Sequence, residues 1–184
     1  NVQQLKYIIK YLLSLINDIL DFSKIESGKM DIIPVDYDLG ILLGDTIDMI
    51  RSRAEEKKLQ LELKIESNTP VHLHGDEVRL RQIITNILTN AVKYTPEGKV
   101  TLTVSGKKVS EEAVQLYISV KDTGIGIKEE DMGRLFDSFQ RVDESRNRNI
   151  EGTGLGLSIT MRLLNLMGSR LEVKSTYGEG SDFY

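Results

Sequence analysis

DEVRLRQIITNILTNAVKYT, residues 76–95, decides the fold because it carries two patterns on one helix. Asp76 stands where an N-cap belongs, and Ile83, Ile84, Ile87 and Leu88 recur at the three- and four-residue steps of a buried face. Asn86 and Asn90 are four apart, so their amides stack on a second face, with Lys93 one turn further along. The apolar face needs a layer to pack on. The amide face lies at the boundary of that packing, where a pocket would form. Amide oxygens can ligate Mg2+ while leaving positions for water and phosphate oxygens, and Lys93 offers positive charge to those phosphates. A solvated polar face is the alternative for any one of these residues.

Reading outward, Thr95-Pro96-Glu97-Gly98 turns the chain, and Val100–Val104 and Val114–Val120 alternate as antiparallel strands. Upstream, Met30 to Tyr37 is strand-like, Leu39 to Lys58 is helical, and Leu59, Leu61, Leu63 and Ile65 alternate as a half-buried strand. Downstream come a short helix at Lys128–Phe136, a helix at Leu155–Met167, and strands at Leu171–Ser175 and from Asp182 onward. These elements predict an α+β, two-layer α/β sandwich, with helices on one face of a mixed, mainly antiparallel sheet.

A further helix is expected over residues 2–26, where Leu5, Ile9, Leu12, Ile16 and Ile19 keep the 3.5-residue repeat of a bundle seam. Ile8, Leu15 and Phe22 form a second apolar row, which asks for more than one neighbour. An amphipathic helix lying on its own domain is the other reading. Gly28 can supply a left-handed C-cap, so the chain divides into 1–29 and 30–184. Starting inside a helix and stopping within a strand, it reads as part of a longer protein.

Composition narrows the partners. The 184 residues carry a net charge of −4, which argues against nucleic acid, and no Cys, which removes disulfides and thiolate metal sites. No apolar run reaches the ~20 residues of a membrane helix. A cytoplasmic domain is expected, attached to a membrane only through regions outside this chain. His72 and His74 alternate with Val71 and Leu73, so they share one face of a short strand; a metal there would need a third ligand.

Between Asp137 and Gly152 lies a long polar loop without periodicity, the length of a lid. Asp122-Thr123-Gly124-Ile125-Gly126-Ile127 precedes it, and Gly152-Thr153-Gly154-Leu155-Gly156-Leu157 follows and opens into a helix. A glycine-rich entry to a helix N-terminus is a natural phosphate site.

Together these segments resemble the histidine-kinase branch of the GHKL ATPases, whose fold is the Bergerat type. NILTNAVKYT is similar to the N box, DTGIGI to the G1 box, FDSF to the F box and GTGLGL to the G2 box, in the expected order. LINDILDFSKIESGKM resembles the end of the second helix of a dimerisation and histidine-phosphotransfer bundle. The resemblance implies ATP and Mg2+ as ligands. It implies that Asp122 accepts a hydrogen bond from the adenine amine, that Asn90 with Asn86 holds Mg2+, and that Lys93 and Arg141 reach phosphate. Tyr94 would stack near adenine, Gly124 and Gly126 would shape the G1 turn, and Phe136 and Phe139 would anchor the lid. Thr153, Gly154, Leu155 and Gly156 would present backbone donors to the triphosphate. Gly168-Ser169 departs from the two glycines common there, which touches only a turn.

ATP hydrolysers of the superfamily place Glu where this chain has Asn86, and an amide cannot act as general base on water. The resemblance therefore implies transfer to an acceptor histidine, then to the aspartate of a response-regulator receiver domain. Neither His72 nor His74 sits in the acceptor signature, so the acceptor is expected N-terminal to Asn1, and this chain alone is not expected to autophosphorylate. A homodimer through the N-terminal helix completes the expectation. A nucleotide-sensing or phosphatase-biased module, or a GHKL hydrolase, are the alternatives.

Overall fold

Asp76 caps its helix as the sequence predicts: its carboxylate accepts the Arg79 N–H at 2.9 Å, and its other oxygen accepts the Ile33 N–H at 2.8 Å. The computed structural model describes residues 2–137 and 154–184. In chain order the elements are α1 (Val2–Glu26), β1 (Val35–Asp38), α2 (Leu39–Glu56), β2 (Gln60–Ile65), β3 (His72–Gly75), α3 (Glu77–Tyr94), β4 (Lys99–Lys108), β5 (Val114–Asp122), α4 (Glu129–Met132), α5 (Gly156–Leu166), β6 (Val173–Thr176) and β7 (Gly180–Phe183).

Five strands form one sheet in the order β2-β4-β5-β7-β6, with β2 parallel to β4 and the other pairs antiparallel. The predicted mixed, mainly antiparallel sheet is present. Val100, Leu102 and Val104 of β4 are fully buried beneath Leu42 and Leu43 of α2, Ile84 and Leu88 of α3, and Ile159 and Leu163 of α5. The register Leu61↔Val100, Leu63↔Leu102, Ile65↔Val104 puts the β2 row on that same face. Yet Leu63 and Ile65 are exposed. Alternation along an edge strand gives the face but not whether a helix reaches it.

Several expected boundaries move: β4, expected over Val100–Val104, runs on to Lys108, and the strand expected over Leu171–Ser175 is Val173–Thr176. The strand expected from Met30 begins only at Val35, after Pro34, which has no N–H to give a ladder. The helix expected over Lys128–Phe136 is one turn, Glu129–Met132, followed by tighter contacts in which Arg134 and Leu135 donate to carbonyls three residues back. β1 and β3 pair in a separate two-stranded sheet, where His74 meets Asp36 at 2.7 Å and His72 faces Asp38 at 3.8 Å.

The C-terminal half of α1 finds neighbours within the chain. Phe22 and Ile25 pack on the core, the Arg162 guanidinium of α5 lies 4.8 Å from the Phe22 ring and pairs with Glu26, and Gln82 of α3 donates to Asp21 at 2.7 Å. Further up, Leu5, Ile9, Leu12, Ile16 and Ile19 remain between 49% and 59% exposed. Among the described residues, no helix is long and apolar enough to cross a membrane.

Candidate nucleotide site

Three segments converge on the side of α3 opposite its buried row. The first is α3 itself. Asn86 donates weakly, at 3.4 Å, to the Gly156 carbonyl and to the Thr160 hydroxyl of α5. The Asn90 amide, one turn on, makes no hydrogen bond among the described residues. Lys93 holds its ammonium 4.7 Å from the Tyr94 ring. The sequence-predicted Asn86, Asn90, Lys93 and Tyr94 therefore lie along one edge of one helix.

The second segment is the turn leaving β5. Asp122 ends that strand and is only 5% exposed. One carboxylate oxygen accepts the Gly124 N–H at 2.8 Å and the Ser181 N–H at 3.3 Å. The second oxygen takes no donor among the described residues. Burial pushes the Asp122 pKa up from its ordinary value and the nearby Asp182 adds to this, while the two backbone donors pull it back. A buried carboxylate with one oxygen held and the other uncommitted is suited to a neutral donor such as an exocyclic amine.

Gly124 is required by proximity. A Cβ there would lie 2.4 Å from the Tyr94 carbonyl oxygen and 2.9 Å from the Thr95 hydroxyl. Gly126 has φ 66° and leaves room for the Thr176 carbonyl, which a Cβ would meet at 2.1 Å. Ile125 N–H donates to the Tyr94 carbonyl at 3.1 Å, so the G1 turn is fastened to the end of α3.

The third segment is the start of α5. Gly154 has φ 72°, Leu155 is buried, and no side chain caps the helix among the described residues. A helix start without a side-chain cap suits an anion, with the helix dipole behind it. Gly156 stands 4.0 Å from the Asn86 side chain when given a Cβ, which places this helix start beside the amide edge of α3. Phe136 is partly buried after α4. Phe139, Arg141 and Thr153 lie outside the described residues.

Two contributors escaped the sequence reading. Thr95 enters the sequence reading as part of a turn and as the last residue of the N-box match, with no role of its own; it is fully buried and donates to the Ala91 carbonyl at 2.7 Å. Ser181 lends its backbone N–H to Asp122 from β7, about sixty residues along the chain, and no local pattern announces such a partner.

Residues 75–184, spanning all three segments, match the family described as histidine kinase-, DNA gyrase B- and HSP90-like ATPase. The chain belongs to this ATPase family. It is 46% identical over 173 residues to the sensor protein GacS of Pseudomonas syringae pv. syringae, covering 94% of this chain and 19% of that protein. With hybrid signal transduction histidine kinase B of Dictyostelium discoideum it shares 43% identity over 173 residues, covering 94% of this chain and 9% of that one. Among solved structures, full-length ShkA in complex with AMPPNP superposes with a TM-score of 0.82 at 34% identity, covering 99% of this chain and 36% of ShkA. The chain thus spans a fifth or less of the length of these curated relatives.

Proposed function

We propose that this chain is the ATP-binding catalytic core of a sensor histidine kinase, which transfers the γ-phosphoryl of ATP to a histidine outside the chain and from there to a response-regulator aspartate. The observation that carries this reading is the amide edge of α3. Asn86 and Asn90 occupy it, and Asn86 is turned by its amide nitrogen toward α5. An amide accepts no proton from water at neutral pH, so this edge is built to position phosphate rather than to activate a hydrolytic water. An imidazole acceptor brings its own nucleophilic lone pair.

In this reading the uncommitted oxygen of Asp122 accepts the adenine amine, and Tyr94 lies alongside the base. The N–H groups at the start of α5 donate to the phosphates, and Lys93 adds charge. The residues also fit Mg2+: among the described residues the Asn90 amide makes no hydrogen bond and the Asn86 contacts use only its nitrogen, leaving hard oxygen donors of the kind the ion prefers. Asn90 with Asn86 would hold the ion, which when bound offsets charge on the β- and γ-phosphates. Arg141, Phe139 and Thr153 enter as the γ-phosphate contact, lid anchor and backbone donor that the family resemblance implies. Residues 1–29 would form the closing helix of the phosphotransfer bundle, 30–184 the catalytic domain, and α1 the seam of a homodimer.

Measuring ATP turnover by the chain with and without an added histidine-bearing bundle helix tests the proposal. Phosphate should accumulate on the added histidine, with little hydrolysis in its absence. Steady hydrolysis that ignores the acceptor would reassign the chain to the hydrolysing branch of its family.

A further inference from the structure

Helix α3 ends in a way that leaves its last carbonyls to be satisfied by others. Pro96 has no N–H and drives Thr95 into the extended conformation, φ −103° and ψ 108°, so the glycine-type closure that usually returns N–H groups to the last turn cannot form. Four carbonyls, of Ala91, Val92, Lys93 and Tyr94, are therefore orphaned. All four are satisfied, by three separate parts of the chain. Thr95 Oγ1 serves Ala91 at 2.7 Å, and Ile125 N–H of the G1 turn serves Tyr94 at 3.1 Å. Val92 and Lys93 are served at 2.8 and 2.7 Å by one group, the Lys57 ammonium, whose third contact is the Thr95 carbonyl at 3.2 Å.

Lys57 reaches this position through the design of its own helix end. It is the C-cap of α2, and Lys58 after it adopts φ 57°, the one positive φ outside glycine among the described residues. Lys58 N–H returns to the Glu55 carbonyl and Leu59 N–H to the Ala54 carbonyl, which closes α2 and fixes where the Lys57 stem departs. A single ammonium with all three protons on carbonyls, at the negative end of a helix dipole, is a rigid clamp. Partial burial lowers its pKa from the ordinary lysine value.

We infer that Lys57 is a positioning residue for the nucleotide site: by clamping the Val92, Lys93 and Thr95 carbonyls it fixes the last turn of α3, which carries Lys93 and Tyr94 and receives the Asp122–Gly126 turn. Gly124 sits against the Tyr94 carbonyl and Thr95 hydroxyl with no room for a Cβ. A shift of a few tenths of an ångström at the end of α3 is therefore passed directly to the backbone beside Asp122. Lys57 touches no ligand in this scheme. The inference rests on the proposed placement of adenine at Asp122 and phosphate at α3 and α5.

The test is calorimetric titration of the 184-residue chain with AMPPNP and Mg2+, together with thermal unfolding. Lys57→Met, which keeps the stem and loses the ammonium, should weaken AMPPNP binding roughly tenfold in the folded protein. Lys57→Arg should restore most of the loss, and amide exchange at Ile125 should quicken in Lys57→Met alone. Val104→Ala, in the core of β4 away from the Val100↔Asp122 pair, serves as a variant of lowered stability whose affinity should hold. If Lys57→Met does not fold, Lys57→Gln, which keeps one amide donor, takes its place with a smaller expected loss. Lys57 variants that bind AMPPNP as tightly as Val104→Ala would overturn the inference. Wild-type affinity in Asp122→Asn would instead overturn the placement of adenine on which it rests.

Discussion

Asp122 sets affinity against stability at a single side chain. Its carboxylate is buried, which raises its pKa, so ionised Asp122 weakens the fold that nucleotide binding needs it to complete. An unfolded Asp ionises near its ordinary pKa while the folded one still holds its proton, so this group's destabilising contribution grows as pH rises through that window and is fully present above it. With adenine placed at Asp122 as proposed, its amine needs the ionised acceptor, so affinity should fall as pH drops through the same raised pKa. Asp122→Asn keeps an oxygen for the Gly124 and Ser181 N–H groups and removes the charge. The variant should melt at or above wild type at neutral pH, while losing about 1–3 kcal/mol of ATP affinity. Melting and calorimetry followed from neutral pH down into the acid range read both signs, and a variant that loses stability together with affinity would contradict this account. On the proposed placement of Mg2+ at Asn90, Asn90→Ala should cost Mg-ATP binding about tenfold or more and leave adenosine binding nearly unchanged. Equal losses for both ligands would point to a damaged helix instead.

Between elements, the seam joining α3 to the G1 turn is the tightest part of the site. Gly124→Ala forces a Cβ into the Tyr94 carbonyl and Thr95 hydroxyl, so it should lower stability by about 1–3 kcal/mol and weaken nucleotide binding with it. Thermal unfolding and titration of the same sample measure the pair; a stable variant of normal affinity would show the seam to be loose. The seam also marks where sequence reading stops. The helix cap at Asp76, the buried row of α3 and the glycine turns are all local or periodic, so each could be read from residue types and spacing. Lys57 could not, because in the run Glu55-Glu56-Lys57-Lys58 it is indistinguishable from a solvated lysine, and its partners are backbone carbonyls some 35 residues away. Leu63 and Ile65 failed for a related reason: periodicity reports the face of a strand, while burial depends on which helix ends above it.

For the molecule as a whole, the unresolved balance lies in α1. Its C-terminal half is held by Phe22, Ile25 and the Arg162–Glu26 and Gln82–Asp21 contacts, while its seam from Leu5 to Ile19 keeps about half of each large apolar side chain in water. An apolar stripe along several turns of one helix is covered by association more readily than it is left bare. Heptad spacing favours a second copy of the same helix related by a two-fold axis. Leu12 and Ile16 lie on this stripe, about one turn apart and clear of the Phe22 contact with α5. Replacing both with Lys puts like charges face to face in any such pairing, without touching α3, the G1 turn or the start of α5. Sedimentation should therefore report a self-associating parent chain and a monomeric double variant, and AMPPNP titration should give the two nearly equal affinities. In a protein extended to include a histidine-bearing helix, the same two substitutions should abolish phosphorylation of that histidine if, as proposed, the bundle brings it to the ATP site. A double variant that still sediments as a dimer would place the contact elsewhere, and one that phosphorylates normally would separate dimerisation from transfer.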